Sequence, residues 1–340
     1  MWADPGRHVG MRTLLAPASW LYRTGEGLAA AAWAAGWRRS ERAALPTVSV
    51  GNLTVGGTGK TPVASWIAGW MLERAVRPAI VLRGYGDDEP AVHRRLQPEA
   101  VVIVSPVRAR GVAQAAAAGA QVAILDDGFQ HRALARDVDL VLLSVEQVAR
   151  ELDAHGRWHA RLLPAGPYRE PVDRLARAHA VLLTVKTADA RACAQVAAAV
   201  HAVAPSVQRV VMELRAGALQ PVAGRAEAVR PFASGPRVLA IAGIGAPELF
   251  GRQLAALGAE VTLRAFADHH DFTEAEIRTL VAEAESHAMA VCTLKDAVKL
   301  AARWPASARS LSYLTQRCVP GEGSARLEAL LTTLVPHSLR

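Results

Sequence analysis

Lys60 and Thr61 close a glycine-rich run, Val48-Ser-Val-Gly-Asn-Leu-Thr-Val-Gly-Gly-Thr-Gly-Lys-Thr-Pro62, whose layout suits phosphate binding. A short β-branched stretch leads into the glycines, and a helix-compatible stretch follows them. Backbone N–H groups of Gly56, Gly57, Thr58, Gly59 and Lys60 can converge on phosphate oxygens, because glycine tolerates the backbone angles such a turn needs. The helix begins near Thr61, so its positive end faces the same anion. In that layout Lys60 reaches the β- and γ-phosphates of a nucleotide, and the Thr61 hydroxyl ligates Mg2+. Pro62 suits the first helical turn, where a missing N–H costs nothing. The full pattern G-x-x-x-x-G-K-[ST] has a glycine where this chain has Thr54, so a turn that merely packs a strand on a helix competes with this reading. Lysine usage argues against that competitor. Of 39 basic residues only Lys60, Lys186, Lys295 and Lys299 are lysine, and one stands where the loop wants a compact point charge.

Three further groups could do chemistry. Val122-Ala-Ile-Leu-Asp126-Asp127 is an apolar strand ending in carboxylates, which can hold a magnesium ion opposite Thr61. Gln130 and His131 follow at once, within reach of a γ-phosphate. Asp87, Asp88 and Glu89 emerge after another strand, in a loop, and can supply a general base for an acceptor hydroxyl; a solvated loop is the alternative. Asp268-His269-His270-Asp271 can pair histidine with aspartate and tune a base near neutral pH. No further ligand at a telling spacing makes it a metal site.

These residues need a sheet to bring them together. Strands are expected at 47–50, 79–82, 100–104, 122–125, 138–143 and 181–185, with helices at 62–74 and 108–118. Strands alternating with helices at this spacing predict a doubly wound, mainly parallel α/β sheet. Strand ends then gather at one edge, beside the loop. A second, smaller α/β unit begins near Gly235, with strands at 237–241, 260–263 and 290–293 and helices from 245 to 257 and 273 to 286. Gly243-Ile-Gly245 lacks the third glycine of a dinucleotide fingerprint and reads as a tight turn. The expected division is an N-terminal helical segment (1–42), a phosphate-binding core (43–206), a β-rich connector (207–235) and a C-terminal α/β domain (236–340).

At 340 residues, with 51% hydrophobic and 21% charged residues, the chain is globular and long enough for two domains. A net charge of +8 favours an acidic partner: nucleic acid, an anionic membrane or a phosphorylated substrate. Aromatics are only 5%, and no arginine-rich block interleaves with them, so nucleic acid is not expected. Cys193, Cys292 and Cys318 are odd in number, lack metal-ligand spacing and read as buried thiols in a reducing compartment. Residues 14–37 are apolar and helix-prone, but Arg23 and Glu26 interrupt them, and the uncharged run 27–37 is too short to cross a bilayer. Trp33 and Trp37 fall on one helical face, followed by Arg38, Arg39 and Arg42. That pattern fits an interfacial helix on an anionic membrane, and it also fits an ordinary buried first helix.

With these motifs assembled, the chain resembles the tetraacyldisaccharide 4'-kinases, the lipid A 4'-kinases of Gram-negative bacteria. The likeness covers Leu14-Leu-Ala-Pro17 with Tyr22, the run Ser49 to Pro62, Arg83-Gly-Tyr-Gly86, Asp88-Glu-Pro90 and Asp126-Asp-Gly-Phe-Gln-His131. It continues through Arg161-Leu-Leu-Pro-Ala-Gly-Pro-Tyr-Arg-Glu-Pro171, Ala242-Gly-Ile-Gly245, Asp268-His269 and Leu294-Lys-Asp-Ala-Val-Lys299. The family's own loop also lacks the first consensus glycine, which accounts for Thr54.

The resemblance implies a membrane-associated kinase using ATP and Mg2+. Its acceptor would be the 4'-hydroxyl of a tetraacylated glucosamine disaccharide 1-phosphate, giving lipid IVA. A monomer is expected, peripheral or monotopic on the cytoplasmic face of the inner membrane. Carried over, Lys60 and Thr61 bind ATP and Mg2+, Asp126 and Asp127 serve the metal with Glu170 beside them, and Asp88 is the base with His269 as partner. The chain departs from the family in places. The segment between Arg-Gly-Tyr-Gly and the Asp-Glu-Pro motif is nearly absent, and Asp87 replaces its glycine, which makes Asp87 a rival to Asp88. The stretch before Arg161 is longer than usual, and Leu294 stands where relatives often carry Glu.

Overall fold

The computed structural model describes residues 9–84, 88–225 and 232–336. Asp87, the rival base, lies outside them. The elements run α1 (Val9–Ala34), β1 (Thr47–Asn52), α2 (Lys60–Leu72), β2 (Pro78–Leu82), α3 (Asp88–Leu96), β3 (Val101–Val104), α4 (Arg108–Ala117), β4 (Val122–Asp126), β5 (Val138–Ser144) and α5 (Val145–Ala149). They continue with β6 (Ala180–Val185), α6 (Ala190–Val203), β7 (Gln208–Ala223), β8 (Arg237–Ala242), α7 (Pro247–Ala256), β9 (Glu260–Ala265), α8 (Glu274–Ala284), β10 (Met289–Cys292), α9 (Leu294–Leu300), β11 (Leu311–Pro320) and α10 (Ser324–Thr332). Two compact units form, one drawn from Met1–Gly84, His93–Glu213 and Cys318–Arg340, the other from Tyr85–Val92 and Leu214–Arg317.

The first unit is built on parallel strands in the order β3-β2-β4-β1-β5-β6-β7. Chain order reverses around β1. The chain leaves β1 for β2 on one side, and β5 then joins β1 on the other. That doubly wound order puts a ligand crevice at the carboxyl ends of β1 and its neighbours. β1, β2, β4 and β5 are buried along their full length. Buried parallel strands are covered on both faces, so they read as continuous apolar runs, and Val-Ala-Ile-Leu before Asp126 is one. α2 buries Val63, Ala64, Ile67, Ala68, Trp70 and Met71, nearly its whole circumference, which fixes its first turn against the sheet.

The second unit repeats the plan in smaller form, with parallel strands in the order β11-β10-β8-β9. Leu239, Ile241, Ile277, Leu280, Ala290 and Leu311 pack into one of its cores. Within the stretch expected as a β-rich connector, Gln208–Ala223 form one 16-residue strand, β7.

Three local expectations are corrected. The acidic group after β2 is not a loop: Asp88 and Glu89 open helix α3. Acids in its first turn, Pro90 near its start, and His93, Arg94 and Arg95 in its last turn all suit the helix dipole. Trp37 does not share a helical face with Trp33, because α1 ends at Ala34. Gly36 turns left-handed (φ 73°) and sends the Trp37 N–H back to the Ala32 carbonyl, a terminating motif that glycine favours. Of the three thiols only Cys292 is fully buried; Cys193 and Cys318 are part-exposed.

α1 touches the rest of its unit through polar contacts. Ser19 Oγ donates to the Leu162 carbonyl and accepts from the Ala165 N–H, Tyr22 Oη donates to the Arg169 carbonyl, and Glu26 pairs with Arg174 at 3.0 Å. Several of its large apolar side chains face outward, with Leu14 81%, Trp20 68% and Leu28 69% exposed and Trp37 just beyond at 85%. Among the described residues no helix is long and apolar enough to cross a membrane.

Candidate active site

The loop between β1 and α2 is anchored on three sides. Gly56 and Gly59 adopt positive φ (117° and 91°), which lets the loop turn sharply into α2. Thr58 Oγ1 accepts from Asn52 Nδ2 (2.9 Å), and the Thr58 carbonyl accepts from Thr184 Oγ1 at the end of β6 (2.9 Å). The Val55 N–H donates to the Pro167 carbonyl (2.8 Å). α2 has no acid in its first turn and no side-chain cap, so its N–H groups are left for an anion. A side chain placed on Gly56 or Gly57 would meet no atom within 4 Å, so space beside the loop is open.

Cations converge on Asp127 just after β4. Lys60 Nζ lies 3.6 Å from Asp127 Oδ1. Arg169 grips both carboxylate oxygens, NH1 to Oδ2 at 2.9 Å and NH2 to Oδ1 at 3.0 Å. The same guanidinium donates to Asn52 Oδ1 (2.6 Å) and the Thr54 carbonyl (3.2 Å), tying Asp127 to the loop. Burial pushes the Asp127 carboxyl up, but Lys60, Arg169 and Arg108 together hold it below the usual carboxylate value. It is therefore a fixed negative charge at neutral pH. Its own backbone is left-handed (φ 57°), an uncommon conformation that aspartate tolerates better than most residues.

Asp126, the last residue of β4, sits deeper. Its Oδ2 accepts from His93 Nε2 (2.9 Å) and lies 3.4 Å from Thr61 Oγ1, while Oδ1 is buried without a partner. A hard divalent cation takes hydroxyl and carboxylate oxygens of this kind, so Thr61 and Asp126 suit Mg2+, with Asp127 adjacent. Glu170, expected beside them, pairs instead with Arg177 at 2.7 Å, and Arg177 stacks over the Phe129 ring. Burial raises the Glu170 carboxyl and Arg177 only partly offsets it. Gln130 Nε2 donates to the Asn52 carbonyl (2.8 Å). Burial, then Arg108, Arg136 and Arg83, lower the His131 pKa and keep its ring neutral near pH 7. Among the described residues no group of three or more His, Cys, Asp or Glu side chains forms a metal-binding cluster.

The second unit holds a separate charged group. Asp88 Oδ2 lies 3.1 Å from His269 Nδ1 and 3.3 Å from Lys299 Nζ. Lys295 Nζ lies 3.4 Å from Glu89 Oε1 and 3.4 Å from His269 Nε2. Lysine only donates and carboxylate only accepts, so the contacts fit an imidazole carrying its proton on Nδ1, toward Asp88. His269 is itself left-handed (φ 59°), and Lys299 also donates to the neighbouring His270 carbonyl (2.9 Å). Burial pushes the Asp88 carboxyl up; Lys299, His269 and Lys295 outweigh it and leave it ionised below the usual range.

The expected pairings Lys60–Thr61 with Asp126–Asp127, and Asp88 with His269, are thus brought together within their units, while Glu170 has Arg177 as its ion-pair partner. Sequence reasoning gave no role to Arg169, His93, Lys295 or Lys299. Arg169 precedes Glu170 in a motif already noted, and both lysines stand in another, so rarity of lysine was the available signal. His93 carried none.

Comparison with known proteins finds relatives over most of the chain. The tetraacyldisaccharide-1-P 4'-kinase family (LpxK) matches residues 11–335. A tetraacyldisaccharide 4'-kinase of Anaeromyxobacter sp. (strain Fw109-5) is 40% identical over 329 residues, covering 88% of this chain and 85% of its own. One from Syntrophotalea carbinolica is 38% identical over 313 residues, covering 84% and 83%. A crystal structure of LpxK from Aquifex aeolicus in complex with ATP superposes with a TM-score of 0.70 at 26% identity, covering 95% of this chain and 99% of that one.

Proposed function

The chain belongs to the tetraacyldisaccharide-1-P 4'-kinase family, and on that premise we propose that it transfers the γ-phosphate of ATP to the 4'-hydroxyl of a tetraacylated glucosamine disaccharide 1-phosphate, giving lipid IVA for lipid A biosynthesis. The observation that carries the reading is the convergence of Lys60 and Arg169 on Asp127, beside the loop and the paired Thr61 and Asp126. Phosphoryl transfer asks a protein mainly for positioning and for positive charge around the transferred group. The loop amides from Gly56 to Lys60 cradle the phosphates, and Lys60 neutralises the β- and γ-oxygens. Asp127 keeps Lys60 and Arg169 aimed at the loop. Thr61, Asp126 and Asp127 would hold Mg2+, which would supply further neutralisation of the triphosphate's charge. Glu170 borders this set and orders Arg177.

Asp88 takes the proton of the 4'-hydroxyl as its oxygen bonds to the γ-phosphorus and the bond to the β-phosphate oxygen breaks, leaving ADP. Its depressed pKa makes it a weak base. In a loose transition state the nucleophile's proton leaves late, so a weak but permanently ionised carboxylate suffices. His269, donating through Nδ1, orients Asp88 and shares the proton's positive charge. The outward Leu14, Trp20, Leu21, Leu28 and Trp37, with exposed Arg38, Arg39 and Arg42, support docking of a monomer on an anionic bilayer at the cytoplasmic face of the inner membrane.

The direct experiment incubates the full chain with γ-labelled ATP and purified tetraacyl disaccharide 1-phosphate, with Mg2+ or with EDTA. Label is expected in the lipid only with Mg2+. ATP hydrolysis that leaves the lipid unlabelled contradicts the proposal.

A further inference from the structure

Behind the phosphate loop, three buried polar side chains run in series, Ser65, His93 and Asp126. Ser65 Oγ lies 3.0 Å from His93 Nδ1, and His93 Nε2 lies 2.9 Å from Asp126 Oδ2. His93 has 0% exposure, Ser65 3% and Asp126 4%. A carboxylate can only accept, so the ring donates its Nε2–H to Asp126. Its other nitrogen, Nδ1, is hydrogen-bonded to the Ser65 hydroxyl. Ser65 thereby fixes the orientation of the ring toward Asp126.

The consequence falls on the two oxygens of Asp126. Oδ2 is engaged by His93 at 2.9 Å and approached by the Thr61 hydroxyl at 3.4 Å, while Oδ1 stays buried with no partner. The backbone is held separately, since Arg108 NH2 donates to the Asp126 carbonyl (3.1 Å). Without His93, the Asp126 side chain is free to rotate and to draw the Thr61 hydroxyl into a short hydrogen bond.

We propose that His93, backed by Ser65, is a positioning residue. It holds Asp126 in the rotamer that leaves Oδ1 and the Thr61 hydroxyl available to a divalent cation bound with the nucleotide. The inference rests on Asp126 being a cation ligand. Hydrogen-bond partners of metal-ligating groups typically carry about 10–100-fold of metal affinity.

The test is calorimetric binding of ATP to the full chain across a Mg2+ series, for wild type, His93→Leu, His93→Gln and Ser65→Ala. The wild type sets the gain in ATP affinity that Mg2+ brings. His93→Leu is expected to need about 10–100-fold more Mg2+ for the same gain, with ATP affinity in EDTA unchanged. His93→Gln, whose amide N–H replaces the Nε2–H donor, recovers most of the loss. Ser65→Ala shifts the Mg2+ requirement in the same direction but less. A histidine that merely fills space gives another outcome: Leu, the better apolar filler, matches wild type, and that overturns the proposal. If His93→Leu does not fold, Ser65→Ala decides alone, because alanine suits a helix interior; an unshifted Mg2+ requirement in it overturns the proposal. A wild type that gains nothing from Mg2+ overturns the cation reading of Asp126, and this role with it. Mg2+-dependent wild type beside unshifted variants overturns the role of His93 alone.

Discussion

Asp127 and Asp88 are both aspartates beside lysines, yet their surroundings fit them for different work. Asp127 follows β4 in a left-handed turn, gripped by Arg169 at 2.9 Å with Lys60 at 3.6 Å. Asp88 opens α3, with His269 at 3.1 Å and Lys299 at 3.3 Å. In both, burial pushes the carboxyl up and nearby cations pull it further down. The difference lies in the partner. Arg169 and Lys60 hold Asp127 beside the phosphate loop. Asp88 instead has an imidazole beside it, with Nδ1 of His269 facing its carboxylate.

The comparison breaks first at Lys60. Lys60→Ala removes a donor to the transferred group and is expected to lower kcat by about 10²–10³ or more, measured as label transfer at saturating ATP. Near-wild-type turnover would show that the loop does not hold the triphosphate. Arg169→Lys keeps the charge but loses the two-pronged grip on Asp127. It is expected to cost about ten- to a hundredfold in kcat/KM, roughly the worth of one charge-assisted hydrogen bond. An unaffected variant would make that grip incidental.

The Asp88 side is sharpened by pH. Its folded pKa is depressed, so the ionised form contributes stability above the unfolded value of about 4. That contribution disappears only as pH falls through the lower folded value. Activity needs the same ionised form, so the kcat/KM profile stays level from pH 7 down to about 5. Lys299→Met removes the leading lowering charge, lets the Asp88 pKa rise and moves the acid limb upward. A limb that does not move would detach Asp88 from catalysis. The smallest effect is expected at α1: deleting residues 1–39 weakens co-sedimentation with anionic liposomes, and unchanged partitioning would remove the membrane role of this helix.

Much of the fold was legible because its central strands are buried on both faces. Runs such as Val122–Leu125 and Ala79–Leu82 are apolar without a break, and each became a strand at the expected place. β11 and α10 were not anticipated, since Ser312, Thr315, Gln316 and Arg317 interrupt the apolar pattern of a strand exposed along part of its length. The acids at the start of α3 suggest a loop, but acids followed by bases describe a helix from its positive to its negative end. In the site, Lys60–Thr61 and Asp126–Asp127 were legible because each is a local motif. Arg169 lies 42 residues from Asp127, and His93 lies 33 from Asp126. Contacts at those separations are made by the sheet and leave no mark on neighbouring residues.

The claim that Asp88 moves a proton while the loop holds ATP is tested most directly by Asp88→Ala. The measurement pairs kcat on the lipid acceptor with the calorimetric Kd for ATP. The predicted result is a fall in kcat of about 10²–10⁴ with the Kd unchanged. Wild-type kcat in a folded Asp88→Ala protein would contradict the account.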